Sequence, residues 1–410
     1  MKNEIKKLVR LLRYFPFFIL SGIAAGLFGF AFRQSIAWAG GIRRQYPFLL
    51  YFLPLIALFV YALYQRVLAD QSNGPQSVIS AVKNNTSVSL RQIPLVFIAS
   101  VFTHLCGGSA GREGAVLEMG GVLGDQTAAM LHYFDQKGRG LRRLGFISKR
   151  QSWETQRRVA ILCGMAGAFS ALFVTPLAAV FFVLEITDSH QILHRFVPVF
   201  FSSVIAFALV CLLGWQPVSH QYFLPNPLPA AAFLRSLVVA AGCGVVGRFF
   251  CLWLKGSRRF FDSRIQNGYV RVLGASVLVS LLSTLLRTDK FNGLGVEAIH
   301  AALNGLSAPL DFFWKTVLTG LTLAAGLKGG EIIPAVFVGA TFGASFSSSI
   351  GFLPDFGASI GIVAILSATA KTPLAAFLLG VELFGVEGSF FYAAASAVAY
   401  FTSGKISLFQ

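Results

Sequence analysis

The sequence predicts an all-α membrane protein made of two related halves, with broken and half-spanning helices. Three observations lead there. Hydrophobic residues make up 55% of the 410 and charged residues only 12%, with a mean hydropathy of +0.69; soluble domains carry about 25% charged residues. The apolar residues fall in runs near the roughly 20 residues that a bilayer requires, and many runs are cut short by Gly or Pro. A short pattern also recurs. Thr175-Pro-Leu-Ala-Ala179 followed by Glu185 returns as Thr372-Pro-Leu-Ala-Ala376 followed by Glu382, with five residues between the last alanine and the glutamate both times.

Taken in order, residues 15–36 and 47–64 are apolar runs of spanning length. The polar turn Gln71-Ser-Asn-Gly-Pro-Gln-Ser77 then opens a short segment. A run at 92–106 leads into a Gly-rich stretch, a helix is expected over 116–133, and a basic loop over 137–158 returns the chain to water. Apolar runs follow at 159–186 and 192–214, the first interrupted by Gly164, Gly167 and Pro176. The segment 216–229 holds Pro217, Pro225, Pro227 and Pro229 and reads as a linker, because Pro removes a helical donor and clashes with the preceding turn. Runs at 230–254, 270–286, 312–327, 331–353, 357–370 and 374–402 repeat the style. The expected organisation is a first transmembrane repeat over 1–215, the linker 216–229 and a second repeat over 230–410. Short or broken helices at membrane depth are tolerated where they line a protein-enclosed cavity.

Charge and cysteine usage narrow the class. Lys and Arg number 34 against 17 Asp and Glu, a net charge of +17. Those cations cluster between apolar runs, as at Lys2, Lys6, Lys7, Arg10 and Arg13 and again from Lys137 to Arg158. Such clusters mark cytoplasmic segments more readily than nucleic-acid contacts, so a cytoplasmic N-terminus and no nucleic-acid partner are expected. The apolar stretch near 15–33 is too long for the core of a cleavable signal. Five cysteines in apolar surroundings, with no CxxC, read as reduced core residues. No cofactor is expected. Nor is a metal: His190 and His194 share a helical spacing but lack the glutamate and third ligand of a zinc site.

The chemistry centres on Gly107-Gly-Ser-Ala-Gly-Arg-Glu-Gly-Ala-Val-Leu-Glu-Met-Gly-Gly121, where eight of fifteen residues are Gly or Ala. Arg112 and Glu113 are charges between membrane-length apolar runs, and an intramembrane charge usually faces a cavity or partner on a transport path. Glycines ahead of a helix start leave backbone N–H groups open to an anion, and the dipole adds a positive end there. Close helix packing is the plainer reason for glycines in lipid, yet it does not account for the glutamate. The second half offers a counterpart in Gly326-Leu-Lys-Gly-Gly-Glu-Ile-Ile-Pro-Ala-Val-Phe-Val-Gly339. Paired interrupted segments of this kind point to a binding site between repeats.

Each candidate has two readings. Glu113 is either a movable acid that competes with the anion or a structural partner of Arg112. Glu331 either takes up protons or caps the following helix. The backbone N–H groups of Ile332 and Ile333 either bind the anion or only pack, and Ser72 and Asn73, with Gly74, either donate to the anion or only form a turn before Pro75. Glu118 lies about 140° round the helix from Glu113 and reads as a buried structural residue. Glu185 and Glu382 read as helix-end or interfacial charges.

With Gly111-Arg112-Glu113-Gly114, the turn ending at Pro75 and Gly330-Glu331-Ile332-Ile333-Pro334 in order, the chain resembles the CLC family of chloride channels and anion/proton antiporters. That resemblance implies two inverted structural repeats, a homodimer in the inner (plasma) membrane, and one anion pathway per subunit. It assigns gating and proton transfer to Glu113, and anion binding to Ser72, Asn73, Gly74, Arg112, Gly114, Ile332, Ile333 and Phe409. Thr103-His-Leu-Cys-Gly-Gly-Ser-Ala-Gly-Arg-Glu-Gly114 and the glutamate of Gly329-Gly-Glu331 are similar to the bacterial fluoride/proton antiporter branch. Ile186 stands where chloride/proton exchangers carry an inner proton-transfer glutamate, which leaves Glu331 as the second carboxylate of a proton route. Three departures accompany the likeness. Ser72-Asn73-Gly74-Pro75 follows neither branch's version of the turn, Ala115 replaces a proline or threonine, and Phe409 replaces the pore tyrosine. The implied function is proton-coupled export of fluoride; the alternative is a chloride/proton antiporter or passive chloride channel of the same fold. Catalysis is not expected: HExxH and Walker motifs are missing, and the Gly107-Gly-Ser-Ala-Gly111 match to a nucleophile elbow opens after an apolar membrane run rather than after a strand.

Overall fold

A computed structural model describes residues 15–67, 74–136, 153–187, 192–215 and 230–409. Ser72, Asn73, His190, the linker 216–229, the basic N-terminal cluster and most of the basic loop lie outside the described residues. The remainder is helical throughout: α1 Phe15–Gln45, α2 Leu53–Val67, α3 Pro75–Asn84, α4 Gln92–Leu105, α5 Glu113–Gln136, α6 Trp153–Phe173, α7 Pro176–Ile186 and α8 Ile192–Leu212. The second half supplies α9 Ala230–Arg264, α10 Gly268–Leu285, α11 Val296–Leu303, α12 Asp311–Ala324, α13 Ile332–Ser349, α14 Pro354–Ala370, α15 Pro373–Phe384 and α16 Ser389–Thr402. Among the described residues, six helical segments are long and apolar enough to cross a membrane, while α4, α7, α14 and α15 are apolar but shorter.

Local chemistry sets the boundaries. Pro opens α3, α7, α14 and α15, where its missing N–H is one that a helix start leaves unpaired anyway. Asn267 caps α10 by accepting from the N–H groups of Tyr269 and Val270. Of the interruptions expected in the run 159–186, only the one at Pro176 ends a helix: the chain breaks at Val174, whose φ of +60 is rare for a β-branched residue, while Gly164 and Gly167 lie inside α6. Likewise 374–402 is two helices, separated at Gly385 with φ +91. Helix α6 begins inside the expected basic loop, at Trp153, and α11 falls in a stretch the apolar runs do not mark.

Contacts group the chain into two compact units: Met1–Arg33, Gln71–Pro94 and Val116–Pro217 in one, Gln34–Asp70, Leu95–Ala115 and Val218–Gln410 in the other. In the first unit α5 and α6 approach so closely that a Cβ on Gly120 would fall 2.5 Å from the Gly164 carbonyl oxygen. Small residues permit such approach without a solvent-driven force between helices. Asp125 and Arg157 form a part-buried ion pair there, and Asp125 Oδ2 also accepts from the Val88 N–H at 3.1 Å. In the second unit α13 and α14 pack through Gly339 and Gly361, and Phe250 and Leu254 of α9 close the core over Ala335, Val338 and Ile365.

The internal repeat reappears as hydrogen bonding. Ser170 Oγ donates to the Ser203 carbonyl at 2.9 Å, and Ser203 Oγ donates to the Pro176 carbonyl at 2.8 Å. In the second half Ser367 Oγ donates to Ser396 O and Ser396 Oγ to Pro373 O, both at 2.7 Å. Lys371, like Val174, has φ +60 immediately before its Thr-Pro pair. The two Thr-Pro starts are thus the same local structure built twice.

Candidate anion site

The second unit brings the two Gly-rich stretches together. Gly111 N–H donates to Gly330 O and Gly330 N–H to Gly111 O, each at 2.7 Å, an isolated antiparallel bridge between helical segments. Two helices start beside it: α5 at Glu113 and α13 at Ile332. Glycine is demanded at both bridge positions. A Cβ on Gly111 would run into the Glu113 carboxylate, and one on Gly330 would lie 2.6 Å from Gly114 N and 2.9 Å from Glu113 Oε2.

Glu113 is fully buried. Its Oε2 accepts from the Arg112 N–H at 3.0 Å and from the Ile333 N–H at 3.2 Å. Oε1 is buried without a hydrogen-bond partner. The carboxylate therefore stands at the positive end of α13, the helix started by the other half's motif, with spare acceptor capacity. Negative charge is favoured at such an end by unpaired N–H groups and by the dipole. Chemically, one small anion and one carboxylate are interchangeable there, and protonating the carboxylate removes its claim. Arg112 contributes its backbone N–H and a nearby charge rather than a side-chain bond, and its Nε is without a partner. The side-chain pairing considered for Arg112 and Glu113 thus takes another form.

Glu331 is the residue immediately before α13, half-buried, with no side-chain cap on that helix. The capping role open to it from sequence is not the one its side chain adopts. Lys255 and Arg258, one turn apart on α9, act on it electrostatically. Ile332 and Ile333 are buried at the helix start. Gly74 belongs to the first unit, ahead of α3, with φ +89; Ser72 and Asn73 beside it fall outside the described residues. Phe409 lies half-buried on the C-terminal tail, which Leu408 ties to α14 through the Thr369 carbonyl at 2.9 Å. Glu118 is buried in α5 and Glu185 and Glu382 are half-buried at matching places in α7 and α15.

Two features of this neighbourhood lie beyond the sequence-based list. Ser109 N–H donates to Thr322 Oγ1 and Ser109 Oγ meets Thr319 Oγ1, both at 3.1 Å, a polar seam that holds the Gly-rich stretch on α12. Lys315, also on α12, is fully buried. A single lysine in the run Phe312-Phe-Trp-Lys-Thr-Val317 is a readable signal, since charges at that depth are rare.

Comparison with known proteins bears on the family and the fold. Residues 55–404 match the family model described as voltage gated chloride channel. A protein of Pseudomonas syringae pv. tomato (strain ATCC BAA-871 / DC3000), named chloride/fluoride channel protein, is 29% identical over 403 residues, covering 96% of this chain and 83% of that one. Among solved structures, a CLC-type fluoride/proton antiporter is similar with TM-score 0.84 and 28% identity, over 98% of this chain and 96% of the other. A slow cyanobacterial Cl-/H+ antiporter shares the fold with TM-score 0.77 at 17% identity, over 96% and 94%.

Proposed function

The chain belongs to the voltage gated chloride channel family, multi-pass membrane anion transporters and not enzymes, and from that premise we propose that it is a proton-coupled antiporter that exports fluoride. In this reading Glu113 is the movable acid. Ionised, its carboxylate occupies the anion's place on the start of α13; protonated, it leaves that place and an anion enters. Protons and anions then cross in opposite directions, with Glu331 as the second proton carrier and Lys255 and Arg258 as its nearby charges. The anion is held by the backbone N–H groups at Gly114, Ile332 and Ile333, by the charge of Arg112, and from the other motif by the turn at Ser72, Asn73 and Gly74, with Phe409 closing the path without a hydroxyl. A homodimer with one pathway per subunit and a cytoplasmic N-terminus complete the proposal.

One observation carries it: Glu113 Oε2 accepts from Ile333 N–H while Oε1 accepts nothing. Fluoride as substrate is supported by the likeness to a fluoride/proton antiporter and by the glutamate in the second Gly-rich motif. The name of the Pseudomonas relative includes both halides and the word channel, which favours passive conduction as the second reading. Proteoliposomes loaded with fluoride or chloride, followed by an anion-selective electrode and a pH electrode, decide between them. We expect fluoride efflux with proton uptake. Chloride efflux with none of fluoride overturns the substrate, and fluoride efflux indifferent to a pH gradient overturns the coupling.

A further inference from the structure

We propose that Lys371 is a positioning residue for Phe409, latching the C-terminal tail against the helix that carries the anion site. Lys371 directly follows α14, and its Nζ donates to the Tyr400 carbonyl at 3.1 Å and to Ser403 Oγ at 2.6 Å. The Tyr400 ring lies 4.9 Å from Nζ. Tyr400 O is among the last four carbonyls of α16, which have no helical donor, and a cation is favoured at that negative end of the dipole. Gly404, with φ +70, then turns the chain. Leu408 N–H donates to Thr369 O at 2.9 Å, and the Leu408 side chain packs on the core cluster that includes Phe250 and Leu254 of α9 and Ala335 and Val338 of α13. The tail is thus held at both ends by the end of α14. Its far end rests on the first two turns of α13, the helix whose start offers the Ile333 N–H to Glu113. Phe409 is the next residue, its N–H donating to Ser407 Oγ at 3.2 Å.

The other Thr-Pro start shows that a lysine is not required to build such a start. Val174 stands where Lys371 does, with the same φ of +60, ahead of Thr175-Pro176. Its side chain has no donor, yet the helix break, the Pro-led start of α7 and the serine on the first carbonyl all form. What the second half has in addition is the tail. A lysine in the left-handed region is strained where a glycine is free. The two bonds of its ammonium to the end of α16 are what this residue adds over valine or glycine. They fix the root of the short segment 404–409, so the place of the ring at its tip follows from them. A ring that closes an anion path has to be held in one place, and Phe409 has no hydroxyl of its own with which to anchor itself.

This inference rests on the reading that Phe409 closes the anion path, and a lysine that only stabilises the fold is the outcome to separate. Lys371→Met keeps the stem and removes the donors. In proteoliposomes it is expected to raise the apparent KM for the transported halide about threefold, the low end of couplings within one network, while the maximal rate changes less. Lys371→Arg restores most of the loss. Phe409→Ala is expected to raise KM as well, and adding Lys371→Met to it has no further effect, because a latch without its ring has nothing to place. A Lys371→Met that lowers only the maximal rate and the thermal midpoint overturns the proposal, as does one whose effect adds in full to that of Phe409→Ala. Should Lys371→Met fail to fold, Ser403→Ala decides: removing one of the two acceptors raises KM by about twofold, and an unmoved KM ends the proposal. A Phe409→Ala that leaves KM unmoved sinks the reading of Phe409 and the latch with it. A raised KM in Phe409→Ala beside an indifferent Lys371→Met sinks only the latch.

Discussion

In the proposed mechanism Glu113 is both gate and mimic of the ligand. Its carboxylate is fixed by two backbone N–H groups, from Arg112 and Ile333, and glycine on either side of the bridge leaves room for it. A glutamine at this position keeps the size and one acceptor oxygen but neither ionises nor carries a proton. Glu113→Gln is expected to abolish proton movement in proteoliposomes while leaving anion flux measurable; undiminished proton transport would refute the assigned role. The glutamate was conspicuous in the sequence because a charge between spanning runs is expensive. Its partner at Ile333 was legible as a helix start, although nothing local to residue 113 names a residue 220 positions away.

At the scale of elements, α7 and α15 are built by the same few atoms. Each follows a residue at φ +60, starts at Thr-Pro, and has its first carbonyl bound by a serine hydroxyl from the next helix, Ser203 or Ser396. A net hydrogen bond of this type is worth about 1 kcal/mol. Ser203→Ala and Ser396→Ala should therefore lower the thermal midpoint in detergent by similar, modest amounts. A silent Ser203→Ala beside a strongly destabilising Ser396→Ala would show that the two starts have diverged in importance. The Thr-Pro-Leu-Ala-Ala match made the repeat visible, but the serines behind it were not: their partners are 27 and 23 residues away, and single serines in apolar helices are common.

For the whole molecule, composition and hydropathy leave little freedom of class. The many exposed apolar side chains, such as Phe201, Leu234 and Phe401, are what lipid or another subunit covers. We expect a homodimer, measured as the mass of the detergent-solubilised protein and as cross-linking in membranes; a monomer at all concentrations would remove that part of the proposal. Dimerisation belongs to this scale because no single helix face in the sequence distinguishes lipid from protein as its neighbour: both are apolar.

By itself the sequence determined that the chain is helical and membrane-embedded, and showed one motif twice, because hydropathy, proline positions and a repeated motif are local or additive properties. It also singled out Glu113, Glu331 and the glycines around them. Only the tertiary structure decided that Gly111 pairs with Gly330, that Glu113 sits on the start of α13, that Glu331 does not cap it, and that Lys315 lies buried against the 291–293 turn. Those facts depend on which segments, distant in sequence, are packed together, and hydropathy carries no record of that choice.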